Sequence, residues 1–156
     1  MAVLDITDLP GALPPMTPLM GLDLGTRTIG VAVSDIGRTI ASPLELIRKT
    51  QFTKDAEALF KLMASRGASG IVIGLPVNMD GTEGPRCQSS RAFARNLLRL
   101  RAELAVAFWD ERLSSAAVNR MLIEEADLSR ARRADLVDKA AAAYILQGAL
   151  DRLGSL

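Results

Sequence analysis

The chain has 156 residues, 49% apolar and 24% charged, with a formal net charge of +1, no histidine and a single cysteine, Cys87. A chain of this length makes one domain able to bury roughly 68–70% of its unfolded surface, and no stretch approaches the ~20 apolar residues of a membrane helix. Internal disulfides, cysteine-built zinc sites, Ser-His-Asp chemistry and histidine-ligated metals are excluded, so any catalysis falls to carboxylates, arginines, lysines, hydroxyls or a borrowed cation.

Residues 1–18 carry Pro10, Pro14, Pro15 and Pro18 around Gly11, with Asp5 and Asp8 where a signal peptide would be basic and then apolar. They are expected as a loosely ordered arm ahead of one domain at 19–156. Three strand signals follow: Met20–Leu24 and Thr28–Ser34 across the tight GTRT turn, then Thr39–Ile47 after DIGR. Connections this short require antiparallel hairpins. Phe52, Ala56, Leu59, Phe60 and Met63 recur at helical spacing and predict a helix over Thr53–Arg66. Gly70–Leu75 is a continuous apolar run, suited to a strand covered on both faces. After the polar loop PVNMDGTEG, Pro85 opens a helix to about Arg101, and Leu104–Trp109 reads as another strand. Ser114 or Ser115 caps a helix to about Glu125, a basic loop follows, and a last helix spans Ala134–Leu153. This order predicts an α/β fold with a mixed five-stranded sheet, an antiparallel meander of three strands plus two parallel ones, flanked by helices.

Three acidic positions stand out. In MGLDLGT, strand alternation puts Asp23 on one face with Gly21 and Gly25, which leaves open space above the carboxylate. That suits a metal or a phosphate, or else a buried aspartate satisfied by turn amides. In AVAFWDERLSS a strand runs directly into Asp110, Glu111 and Arg112. Parallel strands deliver functional groups at their carboxyl ends, so Glu111 or Asp110 projects from the working edge, unless the charges simply pair with Arg112. In the last helix Asp138 shares a stripe with Ala142, Ile145 and Ala149, whereas Asp135 lies one turn before Lys139. A carboxylate on a buried face needs a partner, and a divalent cation would serve. Two Mg²⁺ or Mn²⁺ ions about 3.5–4 Å apart, held by such carboxylates, hydrolyse phosphodiesters without histidine or cysteine.

Fifteen of the nineteen basic residues are arginine, whose planar fork suits phosphate. Between Gly84 and Ala102 there is no acid, yet Arg86, Arg91, Arg95, Arg99 and Arg101 are present, and Arg130, Arg132 and Arg133 form a second basic cluster. These are phosphate contacts or solvated helix faces. Trp109 and Tyr144 read as core rather than as stacking platforms.

The segments GLDLGTRTIGVAVSD (21–35), IVIGLPVNMDGTEG (71–84), DERLSS (110–115) and SRARRADLVDKAAA (129–142) together resemble the YqgF family, RNase H-like pre-16S ribosomal RNA nucleases also described as Holliday junction resolvases. The similarity runs from about Met20 to Leu153; Thr28 stands where many members carry a second basic residue after the one matched by Arg27. The resemblance implies an RNase H-like fold and a two-metal nuclease acting at the 5′ end of precursor 16S ribosomal RNA. It also implies Asp23, Glu111 and Asp138 as catalytic metal ligands. The nucleic-acid contacts expected with them are Arg27, Arg86, Arg91, Arg95, Arg99, Arg112, Arg130, Arg132 and Arg133. Cleavage of branched DNA, or a non-catalytic RNA-binding ribosome-assembly module, are the competing readings. The expected setting is cytoplasmic, with nucleic acid and ribosomal particles as partners and no membrane.

Overall fold

The computed structural model describes residues 3–113 and 130–156, with side chains over 3–113 and 139–156. The expected helix from Ser114 or Ser115 to Glu125 lies outside the described residues.

The meander forms β1 (Leu19–Leu24), β2 (Thr28–Ser34) and β3 (Ala41–Arg48), antiparallel throughout. Its first turn is tight enough for the Gly25 amide to donate to the Thr28 carbonyl at 2.9 Å. β3 starts two residues later than the alternation predicts. The Asp35 carboxylate accepts the amides of Thr39 and Ile40 at 2.8 and 3.0 Å, holding both in the turn. Helix α1 (Phe52–Arg66) then leads to β4 (Gly70–Leu75), and α2 (Pro85–Leu100) to β5 (Ala105–Asp110). The strand order is β3-β2-β1-β4-β5, with β4 parallel to both β1 and β5. The carboxyl ends of β1, β4 and β5 therefore share one edge, where α/β proteins place their chemistry.

Alternation along the strands divides the core in two. Met20, Leu22, Ile71 and Ile73 pack against Leu59, Phe60 and Met63 of α1 and Ala94 and Leu97 of α2. Leu19, Val72, Ala107 and Trp109 face the last helix, α3 (Arg130–Gly154), through Ala142, Ile145, Leu146 and Ala149. α3 begins before the expected Ala134, so Arg130, Arg132 and Arg133 stand in its first turn rather than in a loop. RARRADLVDKAAAA is a run of good helix formers with no breaker, and its propensity outweighs its clustered charge.

The arm is not loosely ordered. Its Leu4 amide donates to the Val106 carbonyl at 2.8 Å, and Leu4 bridges Ala107 in parallel. Two short 3₁₀ turns, Ile6–Asp8 and Pro10–Ala12, then place Leu9 in the α3-side core at 0% exposure. Arg38 fastens the end of the arm by donating to the carbonyls of Pro14 and Thr17, both at 2.7 Å. β5 is an edge strand with unpaired backbone groups, and this apolar, proline-stiffened segment covers it. The prolines set the turns instead of loosening the chain.

Candidate active site

Asp23 is the penultimate residue of β1 and only 5% exposed. Its strand partner in β2 is Gly30. Two glycines explain how a carboxylate fits under a helix. A Cβ at Gly21 would lie 2.6 Å from Leu146 Cβ and 3.0 Å from the Ala142 carbonyl oxygen, so α3 rests directly on the sheet two residues before Asp23. A Cβ at Gly74 would lie 2.5 Å from Ile145 Cδ1 and 3.2 Å from Glu111 Oε2. Because Leu22 pairs with Ile73, Gly74 stands beside Asp23 on the neighbouring strand. The Glu111 carboxylate therefore lies over the strand adjoining Asp23, on the α3 side of the sheet.

Glu111 opens a 3₁₀ turn, Glu111–Leu113, directly after β5. Its neighbour is committed elsewhere. Asp110 accepts the Arg112 amide at 2.9 Å and the Arg112 guanidinium at 2.7 Å, and that guanidinium holds the Asp110 carboxyl below its usual range. The stabilisation from this pair is complete above the ~3.9 of an unfolded aspartate and is lost as pH falls through the lower folded value. Of the two acids left open by the sequence, Glu111 faces the sheet and Asp110 serves the turn. If the chain cleaves phosphodiesters as its sequence leads one to expect, Glu111→Gln should abolish that cleavage, whereas Asp110→Asn should keep most of it and shift the acid limb of a thermal-stability profile. Equal losses of activity in both variants would contradict this division.

The stripe on which helical spacing is expected to put Asp138 runs on through Ala142, Ile145 and Ala149, each buried at 0%. The Asp138 side chain, with those of Asp135, Arg130, Arg132 and Arg133, lies outside the described residues. Among the described residues no group of three potential metal ligands gathers. Asp23 and Glu111 nonetheless bring carboxylate oxygens to one edge of the sheet, where Gly74 admits Glu111 and Ile145 to close approach, and an all-oxygen donor set fits a hard divalent cation and not a soft one.

The arginines divide into engaged and unengaged. Arg91 donates to both oxygens of Glu83 at 2.7 and 2.8 Å and lies 5.1 Å over the Phe108 ring. Arg112 is spent on Asp110. Arg99 reaches only Asn96 within its own helix, at 3.3 Å. Arg27 and Arg95 are exposed, and Arg86 donates to the Leu24 carbonyl at 3.3 Å. Arg91, Arg95 and Arg99 share a helical stripe in sequence, but Arg91 is already neutralised. The PVNMDGTEG loop, at the carboxyl end of β4, closes on itself: Asp80 accepts the amide and hydroxyl of Thr82, and Asn78 pairs its backbone with Thr82 and Gly81. Trp109, 6% exposed, is core as expected. Gly74 had no distinguishing mark inside the apolar run GIVIGL, and only its break in the Val-Ile pattern hinted at a close approach.

Residues 17–152 match a family model described as RuvX, Holliday junction resolvase. A curated relative from Phenylobacterium zucineum, named "Putative pre-16S rRNA nuclease", is 76% identical over the full length of both chains. One of the same name from Caulobacter vibrioides is 67% identical, again over both full lengths, and one from Rhodospirillum rubrum is 61% identical over 98% of this chain and 94% of its own. Among solved structures, Thermus thermophilus RuvC in complex with a Holliday junction substrate superposes with a TM-score of 0.54 at 12% identity, covering 89% of this chain and 97% of that one. At that identity the likeness speaks for the fold alone, an RNase H-like architecture.

Proposed function

The chain belongs to the RuvX family, the YqgF resemblance of its motifs included, and from that premise we propose that it is a metal-dependent nuclease that processes the 5′ end of precursor 16S ribosomal RNA in the cytoplasm, on ribosomal particles. A hydrolase acting on phosphodiester bonds is what its relatives' names and its family description support. The observation that carries the reading is the approach of Glu111 to Gly74, beside Asp23, at the carboxyl edge of the sheet. Among the described residues no helix is long and apolar enough to cross a membrane.

Asp23, Glu111 and Asp138 would hold Mg²⁺ or Mn²⁺, which when bound supplies Lewis acidity to the attacking water and the leaving oxygen. The chain's own contribution is placement. Asp23 is fixed by its strand and shielded by α3, so its charge acts where water does not screen it. Glu111, half-buried at the mouth, offers Oε2 as hydrogen-bond acceptor to the attacking water. Arg27, Arg86, Arg95 and Arg99 face solvent and hold the strand by its phosphates, whereas Arg91 and Arg112 reach a phosphate only by exchanging it for the Glu83 and Asp110 carboxylates. Arg130, Arg132 and Arg133 complete the basic surface in this proposal.

The test is cleavage of a 16S precursor beside a four-way DNA junction, with Mg²⁺ or Mn²⁺ against chelator. Cleavage of the RNA alone upholds the proposal. Cleavage of the junction alone would favour the resolvase reading that the family description carries. Binding of RNA with cleavage of neither substrate would favour a non-catalytic assembly module.

A second expectation concerns the last helix. Asp138→Asn should abolish cleavage, while in chelator its thermal stability should be unchanged or slightly higher, because clustered carboxylates repel. Asp135→Asn should cut normally and lose at most about 0.5 kcal/mol of helix stability. The reverse pattern would reassign the third ligand.

A further inference from the structure

On the same sheet edge, but on its opposite side, a cleft of about 280 Å³ lies between the β1–β2 turn, the end of β3 and the amino-terminal half of α2. Leu24 follows Asp23 directly and turns to the α1–α2 core, so the cleft begins one residue beyond the catalytic strand position. Arg86, Ser89 and Phe93 line it at helical spacings of three and four, one continuous stripe of α2. Thr26 and Lys49 close it from across the gap. Lys49 is held to the turn by its backbone, whose amide donates to the Arg27 carbonyl at 2.9 Å. Phe93 is set by an edge-to-face contact with Phe52, ring centroids 5.4 Å apart.

The lining contains, among the described residues, two cations, two hydroxyls and no carboxylate. Among the described residues the ion pairs are Arg91–Glu83 and Arg112–Asp110, so no described acid neutralises Lys49 or Arg86. Such a lining calls for an anion. The volume, near the lower end of the ~300–1,000 Å³ typical of small-ligand sites, suits one phosphate with its sugar and excludes a base pair. We propose that this cleft is a subsite for a backbone phosphate of a single polynucleotide strand, held by Lys49, Arg86 and the Ser89 hydroxyl with the sugar against Phe93. This rests on the nuclease reading and extends it: the strand crosses the sheet edge from the Asp23–Glu111 side to the α1–α2 side. Lys49, Thr26, Ser89 and Phe93 are then positioning residues for a substrate cut elsewhere.

The experiment measures binding of a mixed-sequence single-stranded oligonucleotide to the full chain in chelator, across a salt series. Lys49→Met and Ser89→Ala are compared with Lys61→Met, an exposed lysine of α1 remote from the cleft lining. Loss of one phosphate contact should lower the log–log salt slope by about 0.7 in Lys49→Met, weaken binding without changing the slope in Ser89→Ala, and leave Lys61→Met like wild type. In parallel, 5′-adenosine monophosphate should shift the amide resonances of Thr26 and Ser89 in wild type and not in Lys49→Met. The two readings fail separately. Salt-dependent oligonucleotide binding whose slope is the same in Lys49→Met and wild type overturns the cleft and leaves the nuclease standing. Nucleotide shifts at Thr26 and Ser89 in a protein that cuts no polynucleotide uphold the phosphate cleft and overturn the nuclease.

Discussion

Asp23→Asn is expected to lower phosphodiester cleavage by at least about 10²–10³-fold, the range seen when one group stabilising transition-state charge is removed. The amide has the shape of the carboxylate and fits the same 5%-exposed position under α3. What it lacks is the anionic oxygen that a hard divalent cation requires. Binding of a nucleic-acid strand in chelator should be unchanged, because the phosphate contacts are proposed on arginines, Lys49 and Ser89 and not on this residue. Thermal unfolding in chelator should stay close to wild type, since the amide keeps the shape and the hydrogen-bonding capacity of the carboxylate. Turnover by purified Asp23→Asn at the wild-type rate would sink the metal-dependent reading, and loss of folding in the variant would move Asp23 from chemistry to structure.

The second large effect concerns the glycines that seat the helix, and it separates stability from activity. At Gly21 an added methyl meets Leu146 Cβ at 2.6 Å and a backbone oxygen of Ala142 at 3.0 Å. Neither atom can swing aside, so α3 must shift as a body. Overpacking of this kind costs about 1–3 kcal/mol, and each kcal/mol lowers Tm by about 2–4 °C in a domain of this size. At Gly74 the nearest atom is Ile145 Cδ1, 2.5 Å away and the mobile end of a side chain, while Glu111 Oε2 waits at 3.2 Å. Gly74→Ala should therefore displace the carboxylate, and activity should fall further than stability. Adding Ile145→Val to Gly74→Ala removes the worst collision, so Tm should recover while cleavage stays impaired. If cleavage recovers along with Tm, Glu111 is not held in place by that glycine. A Gly21→Ala protein with wild-type Tm would mean that α3 does not sit on the sheet as described.

Several features follow from the residues alone. Strand alternation in GLDLG dictates that Asp23 shares its face with glycines, because side-chain period two is a property of any extended chain. The hairpin GTRT, the buried run GIVIGL and the helix start at Pro85 are equally local, each set by turn chemistry, hydropathy or a missing amide proton. Absence of histidine and the lone cysteine confine the chemistry to oxygen ligands by elimination. The four ordered motifs carry the family.

Other decisions needed residues distant in the chain. Asp110 and Glu111 are adjacent acids with equal local claims. Only the 3₁₀ turn after β5 and the missing side chain at Gly74 send one to Arg112 and the other over the strand beside Asp23. The arm looked unanchored because its partners, the exposed edge of β5 and the Arg38 guanidinium, lie about twenty to a hundred residues further on. Arg91 looked like its neighbours one and two turns along the helix until Glu83, eight residues earlier, proved to lie against it. Sequence periodicity reports which face a side chain takes. It does not report what stands opposite that face, and the charge, space and hydrogen-bond partners found there are set by tertiary packing alone.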